Sequence, residues 1–278
     1  MRRRVFLKAL GIGCMGCCGS PLAALADNGR TAKGGRGAVH NGLHKLAPGS
    51  MYAPSLDGVT YDRQELMNRY DSGLADKRSA YVPVFGEASV DAILQDMRAM
   101  YETIIPDIPY VGRFNYHLQY LIPSAEELAE YLVAKNYGMS SKEFGDLRLE
   151  KAIHEIYQMP EEARYMAGIS TFGLMTEIQM RLVAWWSQVS PYPEDSKLTY
   201  LKGNGTDYDW GADYTQCATD FLYAKYDAND LMINLTCKYD FIPGMAFNIG
   251  YHRTMILPEG APVCDLRWKW GKEVVMPD

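Results

Sequence analysis

The apolar positions fall into two regimes along the chain. Over residues 88–104, Val90, Ile93, Leu94, Met97, Met100, Tyr101 and Ile104 recur at spacings of three and four, which predicts an amphipathic helix stopped by Pro106 and Pro109. Ser124 with Glu127 three residues on reads as a capping box opening a second helix through Leu128, Tyr131 and Leu132, ended by Gly138. Residues 141–157 predict a third helix, broken at Met159-Pro160. Pro160-Glu161-Glu162 then starts a long helix to about Trp186, with acids where the helix dipole favours them. Met166, Ile169, Phe172, Met175, Ile178, Met180, Leu182 and Val183 go nearly all the way round it, the pattern of a central buried helix.

Downstream the pattern changes. Residues 190–211 read as a loop, with Asn204-Gly205 as a turn signal. A short strand near 207–216 and helical turns over 218–226 and 229–239 follow. Residues 246–257 and 262–270 flank a four-residue connection, Pro258 to Ala261, which predicts a β-hairpin. On its second strand Cys264, Leu266, Trp268 and Trp270 share one face, and Asp265, Arg267 and Lys269 the other. The expected fold is therefore α+β: a helical N-terminal part packed on a small antiparallel sheet with a C-terminal β-hairpin.

The first residues belong outside that fold. Arg3-Arg4-Val5-Phe6-Leu7-Lys8, a weakly apolar glycine-rich stretch and Ala24-Leu25-Ala26 match a twin-arginine signal peptide over residues 1–26. Acylation of Cys14, Cys17 or Cys18 as a lipoprotein is the lesser alternative. Residues 27–60, rich in Gly, Asn, Ser and Ala, read as a flexible arm, and 61–278 as one domain. The translocase would be a partner during export, to the periplasm or the exterior.

Cleavage would remove four bases and no acid, taking the formal charge from −6 to −10. An acidic surface argues against nucleic acid. No later stretch is suited to span a bilayer, since residues 165–186 contain Glu177 and Arg181. Three cysteines would remain, Cys217, Cys237 and Cys264, an odd number that leaves at least one thiol unpaired. Their spacing matches no zinc motif. Dinucleotide, Walker, nucleophile-elbow, zincin and covalent-haem motifs are absent.

The chemistry-bearing residues are dispersed through the last third of the chain. Thr215-Gln216-Cys217, Cys237-Lys238-Tyr239-Asp240, Arg253-Thr254-Met255-Ile256, and Gly260 followed by Cys264-Asp265-Leu266-Arg267-Trp268 occur in order. Together they resemble the L-2-amino-thiazoline-4-carboxylic acid hydrolase family, departing from it at Leu266, where the family usually has Phe. The resemblance implies a small-molecule substrate, a cyclic thiazoline amidine, opened by water. That reaction needs an activated nucleophile, a stabilised tetrahedral intermediate, a leaving sulfur and a partner for the substrate carboxylate.

The resemblance thus points to Cys264 or Cys217 as nucleophile or activated thiol, His252 as base and Asp240 as proton donor. Arg253, Arg267 and Thr254 become the substrate-binding candidates. Each has a plainer reading. A free cysteine is often only a small buried residue, and arginines on a hairpin are often exposed ion pairs. A second reading stays open: an exported accessory protein whose three cysteines, with His252, hold a metal or cofactor, of a kind the sequence does not identify. His117, between Tyr116 and Tyr120, is undecided, and His154 reads as partly buried and structural.

Overall fold

The computed structural model describes residues 59–274 and 276–277. The expected leader and most of the expected arm lie outside those residues. Helices come first: α1 (Arg63–Ser72), α2 (Leu74–Phe85), α3 (Val90–Ile104), α4 (Leu118–Asn136), α5 (Ser141–Tyr157), α6 (Glu161–Thr171) and α7 (Leu174–Val189). Then come β1 (Lys197–Lys202), β2 (Trp210–Gln216), α8 (Ala218–Ala224), α9 (Asn229–Asn234), α10 (Phe241–Ala246), β3 (Tyr251–His252) and β4 (Cys264–Trp268). This is the α+β arrangement read from the sequence.

The amphipathic α3 forms where its spacing places it and buries Val90, Ile93, Leu94, Met97, Tyr101 and Ile104. It packs along α4, which is buried over most of its length. That helix starts six residues before the expected cap, and Ser124 lies inside it. Glu127 does not reach back to Ser124. Its Oε1 instead accepts from the Tyr239 hydroxyl at 2.5 Å and from Arg148 at 3.2 Å. The true capping box belongs to α5, where Ser140 Oγ accepts from the Glu143 amide and Glu143 accepts from the Ser140 amide.

Charge is built into the helical core. Lys77 on α2 pairs with Glu130 on α4 at 2.6 Å and with Glu126 at 3.2 Å, and the Tyr81 hydroxyl donates to Glu130 at 2.6 Å. Arg148 on α5 stands 3.5 Å from the same carboxylate. Against the upward push of burial, Lys77 and Arg148 hold Glu130 down at about 2. The network ties three helices together through paired charges.

The expected long helix is two helices. It breaks at Phe172-Gly173, where the Thr176 hydroxyl donates to the Ser170 carbonyl at 2.7 Å and Phe172 turns edge-on to Trp270. Nor is it central. Met166, Ile169, Leu174, Met175, Ile178 and Leu182 are exposed.

The four strands form an antiparallel sheet in the order β1-β2-β4-β3. β1 lies inside the stretch read as a loop, under α7, with Leu198 buried. The expected hairpin pairs as β3 and β4, but β3 is only Tyr251–His252, and the connection runs from 253 to 263 rather than over four residues. Asp265 explains the longer connection. Its carboxylate accepts from the Thr254 amide and hydroxyl and from the Met255 amide, folding 253–255 back on β4.

A row of aromatic rings crosses the sheet. Tyr200 on β1 stacks with Trp210 on β2, Trp210 with Trp268 on β4 at 4.0 Å between centroids, and Trp268 meets Tyr251 on β3. The Tyr251 end of the row reaches the candidate site.

Candidate functional site

Each residue of the site is placed by a different short element. Cys217 ends β2 and precedes α8. Cys237 sits in the one-turn helix Thr236–Lys238, and Asp240 precedes α10. Tyr251 is on β3 and Arg253 follows it, while Cys264 opens β4 in register opposite Tyr214 of β2. These groups lie near enough to feel one another's charge: Cys264 responds to Cys217, Arg253 and Asp240, and Cys237 to Arg253, Cys264, Cys217 and Asp240.

The thiols are all free. Burial pushes Cys264 up to about 12, with the Leu257 amide, which donates to its sulfur at 3.1 Å, and Arg253 pulling the other way. Burial likewise raises Cys217 and, further, Cys237. At neutral pH these are S–H groups.

Asp240 is buried and behaves unlike an ordinary aspartate. Removal from water pushes its carboxyl up to about 7, opposed by Arg253 and by the Tyr251 hydroxyl, which donates to Oδ2 at 3.2 Å. Its Oδ1 has no hydrogen-bond partner. A carboxyl that titrates near neutrality, with one oxygen unengaged, is suited to give and take a proton. Arg253 is fixed by a 2.6 Å bond from Nη1 to the Cys237 carbonyl and by the face of Phe241, 5.1 Å from the guanidinium carbon.

The sequence did not single out the next layer. Tyr214, partly buried, lies near enough to feel the charge of Asp240, Cys217 and Cys264. Its hydroxyl is 3.3 Å from Nε2 of His117, at the start of α4. Burial pushes His117 down to about 4, so it is neutral, and its Nδ1 lies 3.9 Å from Asp195 Oδ1. Asp195 is held by Asn115 at 2.8 Å and Ser190 at 2.6 Å through Oδ2. The only sequence signal for His117 is its setting between Tyr116 and Tyr120; the Tyr116 ring does meet it edge-on and packs in turn against Tyr120.

Three expected site residues are elsewhere. His252, the expected base, is the outward partner of the β3 pair. Strand alternation turns Tyr251 inward and leaves His252 exposed opposite Arg267. Arg267 points to that same outer side, paired with Asp213 at 2.7 Å and lying over Tyr208. Thr254 is spent on Asp265, whose carboxyl these donors hold low against partial burial. The structure therefore gathers Cys217, Cys264, Asp240 and Arg253, and separates them from His252, Arg267 and Thr254. The metal reading loses its histidine for the same reason, and among the described residues no three His, Cys, Asp or Glu side chains are arranged to hold an ion. No helix among the described residues is long and apolar enough to cross a membrane.

No family model, curated protein or solved structure matches the chain.

Proposed function

We propose that the chain is an exported hydrolase of the thiazoline-carboxylate type, opening a small cyclic amidine or amide-like substrate with water at the thiol-lined site. The observation that carries this reading is the convergence of Cys217, Asp240, Arg253 and Cys264 from four separate segments around one near-neutral carboxyl. All four belong to the ordered motifs that resemble that family.

The groups fit a hydration. Arg253 would hold the substrate carboxylate. Asp240 Oδ1 would take a proton from water as its oxygen attacks the amidine carbon. When the intermediate collapses, the second proton of the water passes from the new hydroxyl to the ring nitrogen, the carbon–sulfur bond breaks, and Asp240 returns the first proton to the leaving sulfur. The water is consumed and no redox partner is needed. Cys264 and Cys217, held as S–H groups, would donate weak hydrogen bonds and shape a poorly hydrated site. The nucleophilic-thiolate route asks for a lower thiol pKa than this setting provides.

The test is turnover of 2-amino-thiazoline-4-carboxylate by purified protein and variants. Asp240→Asn should lower kcat by about 10²-fold or more, and Arg253→Lys should raise KM. The double variant Cys217→Ala/Cys264→Ala should keep measurable turnover. Its complete loss, with folding intact, would restore a thiol as nucleophile. No turnover of this or related cyclic amidines by the parent would remove the reading. N-terminal sequencing of protein from the cell envelope tests export: a mature start after Ala26 is expected.

A further inference from the structure

Helix α7 is apolar on two sides, and the described residues cover only one of them. Thr176, Met180, Ala184 and Ser187 are buried and turn toward β1, where the Ser187 hydroxyl meets the Leu198 backbone. On the far side Leu174, Trp185, Ile178, Val189, Leu182, Met175 and Trp186 follow one another around about a third of the helix circumference at 100° per residue. All seven are exposed, from 42% for Trp186 to 75% for Met175. No polar residue interrupts that arc. Within it Met175, Ile178, Leu182, Trp185 and Val189 repeat at three and four, the spacing of a seam between two paired helices.

We infer that this face is the self-association surface of the protein: two copies pair α7 against α7 in antiparallel fashion about a two-fold axis at Leu182. Area favours it. Seven large side chains roughly half exposed amount to about 800 Å² per copy, one partner's share of a standard stable interface. That is also more than a monomer ordinarily leaves open.

Charge favours a second copy over other occupants. The face is flanked by Glu177 and Arg181, which pair with each other at 2.8 Å, and by Gln179 and Gln188. It is neutral, so it does not repel itself. It lacks the basic rim by which interfacial helices hold lipid headgroups. It also gives the Gly-rich residues 27–58, whose apolar residues are scattered, neither a complementary charge nor a matching stripe.

Shape favours the antiparallel sense. Leu182 is midway between Met175 and Val189, so the two-fold sets Trp185 and Trp186 of one copy against the Ile178 and Met175 end of the other, large against smaller. The helix dipoles also oppose each other in this sense.

Sedimentation of the full chain over a wide concentration range tests this. The expected particle has twice the 31.3 kDa chain mass. Leu182→Glu should give a folded monomer by circular dichroism, and Asp146→Arg, on exposed α5 surface, should leave the dimer intact. Under mild oxidation Leu182→Cys should form a disulfide-linked dimer beyond the parent's background, and Met175→Cys should not.

A parent that stays monomeric overturns the inference. So does a dimer that Leu182→Glu leaves unchanged, or efficient self-linking of Met175→Cys. Monomer whose α7 amides are protected from exchange would show the chain's own N-terminal residues on this face. Monomer that binds anionic vesicles through Leu182 would show a membrane. Either result replaces the second copy.

Discussion

Helices α4 and α7 invert the usual expectation. The first carries Glu126, Glu127 and Glu130 and is buried over most of its length. The second has one acid and one base and shows seven large apolar side chains to solvent. The difference lies in what each meets. The acids of α4 find Lys77, Arg148, Tyr81 and Tyr239 at hydrogen-bonding distance, so they can be removed from water. The outer face of α7 finds nothing among the described residues. Burial follows the supply of partners, and composition sets only the demand.

The sharpest way to break this contrast is to remove a partner from α4. Lys77→Met leaves Glu130 fully buried with the Tyr81 hydroxyl and, as its remaining cation, the more distant Arg148, and should cost about 3–5 kcal/mol in urea unfolding. Adding Glu130→Leu should recover much of that loss, because the uncompensated charge goes with it. A smaller effect is expected on the inner side of α6, where Gly168 lies against the Phe247 carbonyl and a Cβ would run into it. Gly168→Ala should cost about 1–3 kcal/mol, while substitutions at the exposed Met166 of the same helix should not approach it.

The site gives a prediction in pH. Asp240, with a folded pKa of about 7 against an ordinary 3.8, binds its proton more tightly when folded, so its contribution to stability falls as pH rises between those values. His117, about 4 when folded against 6.5, binds its proton more tightly when unfolded, so its contribution rises with pH between about 4 and 6.5. The two slopes oppose each other. Asp240→Asn should therefore add a rising slope of about 1.4 kcal/mol per pH unit relative to the parent over that range, and His117→Gln a falling one, both read from urea midpoints. The smallest effect belongs to the outer face of α7. At dilutions where the chain is monomeric, Met175→Gln should change unfolding by less than about 0.5 kcal/mol. A loss of 2 kcal/mol or more would place that side chain in the monomer's own core.

Much of the fold was legible where local signals agree. The three-four spacing of Val90 to Ile104, the break at Met159-Pro160 and the alternation of Cys264 to Trp268 each fix an element without distant help. Legibility ended where tertiary partners decide. Ser124 and Glu127 have the right spacing for a cap, but Arg148 and Tyr239 take the glutamate. Lys197 to Lys202 alternates too weakly to announce a strand before β2 pairs with it. At the site, Cys217, Cys264, Asp240 and Arg253 could be named in advance as part of ordered motifs. His252 could not be separated from Tyr251 until strand pairing set which of the two faces in. His117 enters from the far end of α4, nearly a hundred residues from Tyr214, and no short motif spans that gap.

The strand order has a temporal consequence. β4 is the last of the four strands to be synthesised, yet it lies inside the sheet, bonded to β2 on one edge and β3 on the other. Until residues 264–268 have left the ribosome, β2 has an unfilled edge and β3 has no neighbour. Helices α1 to α3, which pack on one another and on α4, can assemble during elongation, while α5 waits for α9 and α10 and the sheet closes only after the chain is almost complete. Cys264 arrives with that closing strand, so the thiol-lined site exists only in molecules whose synthesis has run past it.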